Sequence, residues 1–305
     1  MTNRYIKKIL EASVYDVAVE TPIHPMPLLS ESLGNEVLLK REDLQPVFSF
    51  KLRGAYNKLA KLSPREKKQG VIAASAGNHA QGVAISAQRL GIKATIVMPT
   101  TTPQIKVAAV RRRGSRVILY GQRFDDSCAH AQMLADAEGL IFIHPYDDVD
   151  VIAGQGTIGM EIMRQHTDPI HAIFIPVGGG GLIAGVAAYI KYLRPEIKII
   201  GIEAEDSACL KAALEAGRRV TLPSIGIFAD GVAVSQIGKE PFRVAKDCVD
   251  EVVTATSDEI CAAIKDVFDD TRSIAEPAGA LAVAGMRNYV RKKRIRNKTL
   301  VAIDS

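Results

Sequence analysis

The sequence predicts an α/β protein built from two open parallel sheets. Short apolar runs alternate with segments of helix length, and they fall into two sets, one within residues 70–121 and one within 171–305. Parallel strands need long crossover connections, usually helices, so this alternation favours sheets covered by helices on both faces. At 305 residues the chain exceeds one ordinary domain. We therefore expect two doubly wound α/β domains.

The residues before the first set predict a helix over about residues 3–13. Pro22, Pro25 and Pro27 in TPIHPMPLL predict an extended segment, because proline disfavours helix interiors. EVLLKRE, residues 36–42, predicts a strand, and SFKLRGA predicts a helix that begins near Lys51.

The later strands come as two groups of apolar runs separated by helix-length segments such as NHAQGVAISAQRL. The runs are GVIAAS at 70–75, ATIVMP at 94–99, RVILYG at 116–121, HAIFIPV at 171–177, IKIIGIEAE at 197–205 and TLVAIDS at 299–305. We expect a small inserted α/β domain at residues 70–148. The larger domain is then formed by residues 1–69 and 149–305.

Composition excludes several functional classes. The chain is 47% hydrophobic and 24% charged, which is typical of a globular protein with a large core. Subtracting 34 acidic from 39 basic residues leaves +5, too small and too evenly spread to indicate nucleic acid. No run reaches the roughly 18 apolar residues of a membrane helix, and the N-terminus lacks a secretory signal. We expect a cytoplasmic protein that acts on a small molecule, without a nucleic-acid or membrane partner.

The cysteines and histidines form no metal-binding pattern. There is no CxxC pair and no HExxH motif, so neither a zinc site nor a disulfide framework is supported. The residues concerned are Cys128, Cys209, Cys248, Cys261, His24, His79, His130, His144, His166 and His171. We expect free thiols and no metal site.

Four consecutive glycines follow the strand IFIPV and precede a helix. Backbone N–H groups of such a loop, together with the positive end of the helix, bind anions. The loop lacks the Lys-Ser/Thr ending of a nucleotide P-loop and is not a GxGxxG motif. It predicts a phosphate site at Gly178, Gly179, Gly180 and Gly181. A plain tight turn is the alternative, but four glycines carry a large entropic cost.

Lys51 lies between Phe50 and Leu52 near the predicted start of a helix. Apolar neighbours and a positive helix end both weaken an amine's preference for its charged form, which suits Schiff-base chemistry. Most lysines are instead solvated surface residues.

The motif SAGNHAQG, residues 75–82, lies between the strand VIAAS and a helix. Ser75, Asn78 and the N–H groups around Gly77 suit a carboxylate or a phenolate. A simple helix N-cap is the alternative interpretation.

In this order, SFKLRGA, SAGNHAQG and GGGGL resemble the motifs of the fold type II pyridoxal-phosphate enzymes, the serine/threonine dehydratases, over essentially the whole chain. Within that family, KREDLQPVFSFKLRGAYNKLA, ASAGNHAQGVA, VIAGQGT, IEAEDSACLKAAL and AEPAGALAVAGM are similar to the biosynthetic threonine deaminases. The resemblance implies a tryptophan synthase β-like fold, pyridoxal 5'-phosphate as cofactor and a homotetramer or homodimer. It also implies a regulatory domain after Ser305, which these 305 residues do not include.

The resemblance gives each motif residue a role. Lys51 would bind the cofactor covalently and act as the catalytic base, Phe50 would pack against the cofactor ring, and Asn78 would hydrogen-bond its phenolic oxygen. The phosphate would be held by Gly178, Gly179, Gly180, Gly181 and Leu182, the pyridine nitrogen would face Ser305, and the substrate carboxylate would be received by Ser75, Ala76, Gly77, Asn78 and His79.

Three positions refine the implied chemistry. A neutral hydroxyl at Ser305 does not keep the pyridine nitrogen protonated, which favours β-elimination over transamination. Ala76 stands where related serine racemases have an acid/base serine, so racemisation is disfavoured. Glu203 matches the first residue of the racemase cation site, but Cys209 replaces a later aspartate and leaves the oxygen cage incomplete.

The implied activity is dehydration and deamination of L-threonine to 2-oxobutanoate and ammonia, the first step of isoleucine biosynthesis, with L-serine to pyruvate as a side activity. A catabolic threonine/serine dehydratase is the nearest alternative, and it differs in having a short tail after Ser305. A catalytically silent binding module on the same fold is an alternative of another class. Lys51, Asn78 and the glycine loop argue against a silent module.

Overall fold

The computed structural model describes residues 2–305, with only the backbone described for Thr2 and Asn3. The strands are β1 Ile23–Pro25, β2 Glu36–Arg41, β3 Val71–Ala74, β4 Ala94–Met98, β5 Arg116–Leu119, β6 Ile141–Phe142, β7 Ala172–Pro176, β8 Lys198–Ala204, β9 Glu251–Ala255 and β10 Thr299–Asp304. The helices are α1 Thr2–Leu10, α2 Pro27–Leu33, α3 Lys51–Ala60, α4 Pro64–Gln69, α5 Asn78–Leu90, α6 Gln104–Arg111, α7 Phe124–Glu138, α8 Val149–Gln165, α9 Gly181–Leu193, α10 Cys209–Ala216, α11 Lys239–Cys248, α12 Ser257–Thr271 and α13 Pro277–Lys293.

The strands form two sheets. The six-stranded sheet has the order β1-β2-β10-β7-β8-β9, and the four-stranded sheet has the order β5-β4-β3-β6. Every pairing is parallel except that of β1 with β2. The predicted α/β class with two parallel sheets is confirmed. The strands of the smaller sheet all lie between residues 71 and 142, while the domain boundaries at residues 70 and 148 stay a prediction.

The larger sheet separates two hydrophobic cores. Alternate residues of β7 point to opposite faces, so Ile173 packs in one core and Phe174 in the other. Both strand faces are apolar because helices cover both, which is why IFIPV reads as a continuous hydrophobic run. The doubly wound arrangement follows from this burial.

The N-terminal predictions need two corrections. The first helix ends at Leu10, three residues earlier than expected. The extended segment predicted over TPIHPMPLL is wrong in its last part, because α2 begins at Pro27. Proline is compatible with the first position of a helix, where its missing N–H group has no intrahelical partner to lose.

Candidate active site

Three loops meet at the carboxyl edge of the larger sheet. β2, β10 and β7 are parallel neighbours, so their carboxyl ends lie at the same edge. The chain after β2 leads to Lys51, β7 leads to the glycine loop, and β10 ends next to Ser305, which is buried. Residues far apart in sequence are thereby placed on one side of the sheet.

Lys51 is the first residue of α3 and is half-buried. Its Nζ donates a hydrogen bond to Gly231 O at 3.4 Å and lies 5.1 Å from the ring centroid of Phe50. Burial lowers the pKa of Lys51 below its ordinary value, although the carboxylates of Glu276 and Asp230 partly oppose this. The amine is therefore more readily available as a free base than that of a surface lysine.

The glycine loop is packed closely against two other parts of the chain. A Cβ at Gly178 would lie 2.9 Å from Val232 Cα, and a Cβ at Gly179 would lie 2.2 Å from the Tyr146 ring. Gly180 has a φ of +90°, which side chains other than glycine rarely adopt. The structure therefore requires glycine here for packing and backbone reasons, in addition to the predicted phosphate contact.

The same loop presents a row of unused donors. Within residues 2–305, no hydrogen bond is donated by the N–H groups of residues 178–182. These groups surround the N-terminus of α9, where the helix dipole favours an anion. The predicted phosphate-binding residues thus have free donors at a positively polarised helix end.

The SAGNHAQG turn connects β3 to α5 in the smaller sheet. Gly77 N donates to Ser75 Oγ at 3.2 Å. In the described part of the chain, the N–H groups of Ala76, Asn78 and His79 donate no hydrogen bond. This turn can therefore offer several backbone donors to a carboxylate.

α5 holds this turn against the Lys51 segment. A Cβ at Gly82 would lie 3.0 Å from Leu52 N, so the backbones of α5 and α3 are in close contact. The His79 ring is directed away from this contact, with Nε2 donating to Ile143 O at 3.1 Å. Burial lowers the pKa of His79 to about 4, which keeps the ring neutral near neutral pH. The backbone N–H of His79 is free for the predicted substrate contact.

Glu276 is a site residue that the sequence interpretation missed. It precedes α13, and its Oε1 accepts a hydrogen bond from Asn78 Nδ2 at 2.7 Å. Burial raises the pKa of Glu276, and Lys51 partly opposes the increase. The motif AEPAGALAVAGM contains Glu276, but nothing in its spacing indicates a contact with a turn 198 residues earlier.

Tyr146 and Gly231 were also missed. Tyr146 packs on the glycine loop, and Gly231 supplies the carbonyl next to Lys51. Neither lies in a motif that the sequence singles out. Both contacts depend on loops that meet only in the folded chain.

Glu203 and Cys209, the two positions compared with the racemase cation site, make other contacts in the structure. Glu203 accepts hydrogen bonds from Leu210 N at 2.7 Å and from Lys211 N at 2.9 Å, so its carboxylate caps the start of α10. Cys209 Sγ donates to Gly178 O at 3.4 Å. Among the residues that the structure describes, no group of three or more His, Cys, Asp or Glu could hold a metal ion.

Lys51, with its lowered pKa, contacts Gly231, and the next residue, Val232, packs against the glycine loop and its free N–H donors. An amine and anion-binding donors brought together in this way define a class of proteins that hold a phosphorylated carbonyl compound through a lysine. The chain matches the family described as "Pyridoxal-phosphate dependent enzyme" over residues 14–305, and it belongs to that family. The residues present fit pyridoxal 5'-phosphate, because donors for its phosphate and an amine for its carbonyl group are both available. The expected cofactor is thus confirmed.

Relatives of known function lie within this family. The chain is 60% identical over 304 residues to L-threonine dehydratase biosynthetic IlvA of Burkholderia multivorans, covering 99% of this chain and 60% of the relative. It is 54% identical to the protein of the same name from Escherichia coli, covering 98% of this chain and 58% of that relative. The chain therefore spans about three fifths of the length of these two relatives.

Two solved structures share the fold over nearly the whole chain. The processed form of threonine deaminase isoform 2 from Solanum lycopersicum has a TM-score of 0.98 and 52% identity, covering 100% of this chain and 88% of that one. Serine racemase from Dictyostelium discoideum has a TM-score of 0.90 and 32% identity, covering 98% and 97%. The predicted fold type II architecture is confirmed.

Proposed function

We propose that this protein is a pyridoxal-phosphate-dependent threonine ammonia-lyase that converts L-threonine to 2-oxobutanoate and ammonia, the first step of isoleucine biosynthesis. L-Serine, which would give pyruvate, is the proposed side substrate. Identity of 54–60% to the two biosynthetic threonine dehydratases supports this activity. We also propose that the protein is cytoplasmic and forms a homodimer or homotetramer. No helix among the described residues is long and apolar enough to cross a membrane.

Each proposed role belongs to a group in the site. When bound, pyridoxal phosphate supplies an electron-accepting ring that makes the Cα proton of an amino acid acidic. Lys51 Nζ accepts that proton, because its lowered pKa makes the free amine available. The free N–H groups of the Ser75–His79 turn bind and orient the substrate carboxylate. Phe50 would pack against the bound ring, and the neutral hydroxyl of Ser305 would face the ring nitrogen, which would favour loss of the β-hydroxyl.

The turn at residues 75–79 is called the donor turn below. The observation that carries the proposal is that Lys51, with its lowered pKa, begins α3, and that α3 is in contact with α5, the helix that follows the donor turn. The test is to incubate the purified protein, loaded with cofactor, with L-threonine and to measure 2-oxobutanoate and ammonia. We expect equal amounts of both products. Lys51→Ala should release neither product, whereas Lys68→Ala, an exposed lysine, should match the parent. A cofactor-loaded parent that releases neither product would contradict the proposal.

Two alternatives are separated by further measurements. A catalytically silent module should leave the purified protein colourless, whereas the proposed enzyme should show the visible absorbance of lysine-bound cofactor. A catabolic dehydratase differs in physiological role. Restored growth of an isoleucine-requiring strain that lacks its own threonine dehydratase would support the biosynthetic role.

A further inference from the structure

Four fully buried charged side chains form a network behind the helix that begins with Lys51. We call Lys40, Glu42, Arg53 and Glu161 the buried charge network, and each side chain is 0% exposed. Two positive and two negative charges balance. The members come from β2, from the turn after it, from α3 and from α8.

Arg53 is the centre of this network. Its Nε and Nη2 both donate to the Glu42 carboxylate at 2.8 Å, a two-point contact. Its Nη1 and Nη2 donate to Glu161 at 2.5 and 3.0 Å, and Nη1 also donates to Thr157 Oγ1 at 3.1 Å. The planar guanidinium group is suited to such forked contacts, and an ammonium group cannot reproduce them.

The remaining polar atoms of the network also have partners. Lys40 Nζ donates to Glu161 Oε2 at 2.6 Å and to Thr21 O at 2.5 Å. Thr21 Oγ1 donates to Glu42 at 2.5 Å, and Tyr15 donates to Glu161 at 2.9 Å. Burial alone would raise the pKa of Glu42, but Arg53 reverses this and holds the pKa below its ordinary value. The polar atoms of the network are therefore satisfied by hydrogen bonds within the fold.

Stability alone gives little reason for such a network. Replacing a buried ion pair by apolar groups of similar size is often neutral or stabilising, because desolvation offsets most of the Coulombic attraction. A role in fixing a single geometry is a better explanation where the charges join elements that carry a functional group.

The network closes the loop that carries Lys51. Glu42 precedes the loop, Arg53 follows Lys51 by two residues, and their contact ties the two ends together. Residues two apart on a helix are rotated by about 200°, so Arg53 and Lys51 lie on opposite faces of α3. The loop between Glu42 and Lys51 includes Phe48, which has an unusual φ of +58°. The backbone of α8 packs closely against α3, since a Cβ at Gly154 would lie 2.7 Å from Arg53 O.

We propose that Arg53 is a positioning residue for Lys51, and that its forked contacts with Glu42 and Glu161 fix the start of α3 so that the amine faces the cofactor site. The proposal rests on the proposed role of Lys51. It predicts that cofactor affinity depends on the paired hydrogen bonds of Arg53, even where protein stability is unchanged.

The test compares a single variant with a charge-balanced double variant. Arg53→Met leaves Glu42 buried with one positive partner fewer, and we expect Tm to fall by roughly 6–20 °C. Arg53→Met/Glu42→Gln removes one charge of each sign, and we expect most of that loss in Tm to be recovered. Cofactor affinity, measured by visible absorbance titration, should stay at least about tenfold weaker than in the parent. The visible circular dichroism of the bound cofactor should also be reduced, because its lysine is less fixed.

A double variant that recovers Tm and also binds cofactor with parent affinity and parent circular dichroism would overturn the proposal. Arg53→Lys keeps the positive charge but cannot make the paired hydrogen bonds of the guanidinium group. It therefore tests the proposal if the double variant does not fold. It should weaken cofactor binding several-fold with Tm within a few degrees of the parent, and parent-like affinity would equally overturn the proposal.

The matched control is the Arg287–Asp266 pair, which joins α13 to α12 and is partly buried. Arg287→Met/Asp266→Asn should change Tm without changing cofactor affinity. Equal loss of affinity in this control would show a general effect of ion-pair removal and would contradict positioning by Arg53. A wrong assignment of Lys51 is detected separately, because the parent would then carry the cofactor on another lysine.

Discussion

Ala76 is the residue that distinguishes one-base from two-base chemistry at this site. It lies in the donor turn, is half-buried, and has a methyl group that cannot transfer a proton. With Lys51 as base, protonation from the opposite face has no obvious donor in the three sequence motifs. We therefore expect elimination to dominate over racemisation.

Ala76→Ser should introduce measurable racemisation of L-serine while leaving threonine deamination largely in place, because the added hydroxyl supplies a second proton-transfer group. Chiral chromatography of serine after incubation measures the effect, and Ala76→Gly, which adds no hydroxyl, is the control. The one-base explanation fails if the unmodified protein already interconverts L- and D-serine as fast as it releases ammonia.

Asp304 makes a pH-dependent contribution to stability. It is 1% exposed, and its Oδ2 has no hydrogen-bond partner. Burial and the neighbouring Asp43 raise its pKa to about 8, although Arg41 opposes the increase. Above an unfolded-state pKa of about 4, the folded protein retains a proton that the unfolded chain has lost. The contribution is present at low pH and is lost as pH rises through about 8.

Asp304→Asn should therefore flatten the decrease of Tm between about pH 4 and pH 8, since the amide has no proton to lose. Thermal unfolding at a series of pH values checks this. Glu31→Gln, a substitution of an exposed carboxylate, should retain the parent dependence. An Asp304→Asn curve parallel to that of the parent would contradict the assignment.

The chemistry of Lys51 could be predicted only in part from its neighbours in sequence. Phe50 and the helix start are local features, and the structure contains both. The carbonyl of Gly231 lies 180 residues away, and the carboxylate of Glu276 is equally non-local. No periodicity or motif spacing connects such positions, because the contacts form where separate segments meet in the folded chain.

The glycine loop is the element in which close packing and the proposed phosphate contact involve the same residues. At Gly180 a Cβ would lie 2.5 Å from Ile237 Cδ1 and 2.8 Å from Pro241 Cβ, in a backbone with φ of +90°. Crowding and conformational strain therefore act together at this position, whereas a Cβ at Gly91, where φ is +67°, would meet no atom within 4 Å.

Gly180→Val should weaken cofactor affinity at least tenfold, because the loop and its free N–H groups must shift to admit the side chain. Gly91→Val should cost only the backbone strain of about 1–2 kcal/mol and leave affinity unchanged. Visible absorbance titration and thermal unfolding separate the two effects. Parent affinity in Gly180→Val would contradict the assigned role of the loop.

Elements with long apolar runs were predictable, and short or atypical ones were not. β7 is buried throughout and β8 is buried after its first residue, so apolar residues make up most of both sequences. β6 has only two residues, too few to show a pattern. α2 was missed because Pro27 indicates an extended segment, whereas it occupies the first position of the helix, where proline is tolerated.

At the scale of the whole molecule, the residues of the proposed site follow strands of both sheets. The larger sheet carries Lys51 and the glycine loop, and the smaller sheet carries the donor turn, which reaches Glu276 through Asn78. A cofactor held between these parts should stabilise the assembled molecule, because it binds the folded state alone.

Removing the cofactor should lower Tm by roughly 5–10 °C, the shift expected for the loss of about 2.7 kcal/mol of binding free energy at a hundredfold excess over Kd. Adding pyridoxal phosphate back should restore Tm. EDTA should change neither Tm nor activity, because both oxygens of Glu203 are used in capping α10. A Tm that is insensitive to the cofactor would contradict a site formed by both sheets.

The most direct test of the central claim is to locate the cofactor on the chain. The protein is reduced with borohydride, digested and mapped by mass spectrometry. We expect a pyridoxyl group on Lys51, in the peptide that contains SFKLRGA, and no label at this position in Lys51→Ala. A label found on another lysine of the parent, with Lys51 unmodified, would contradict the site described above.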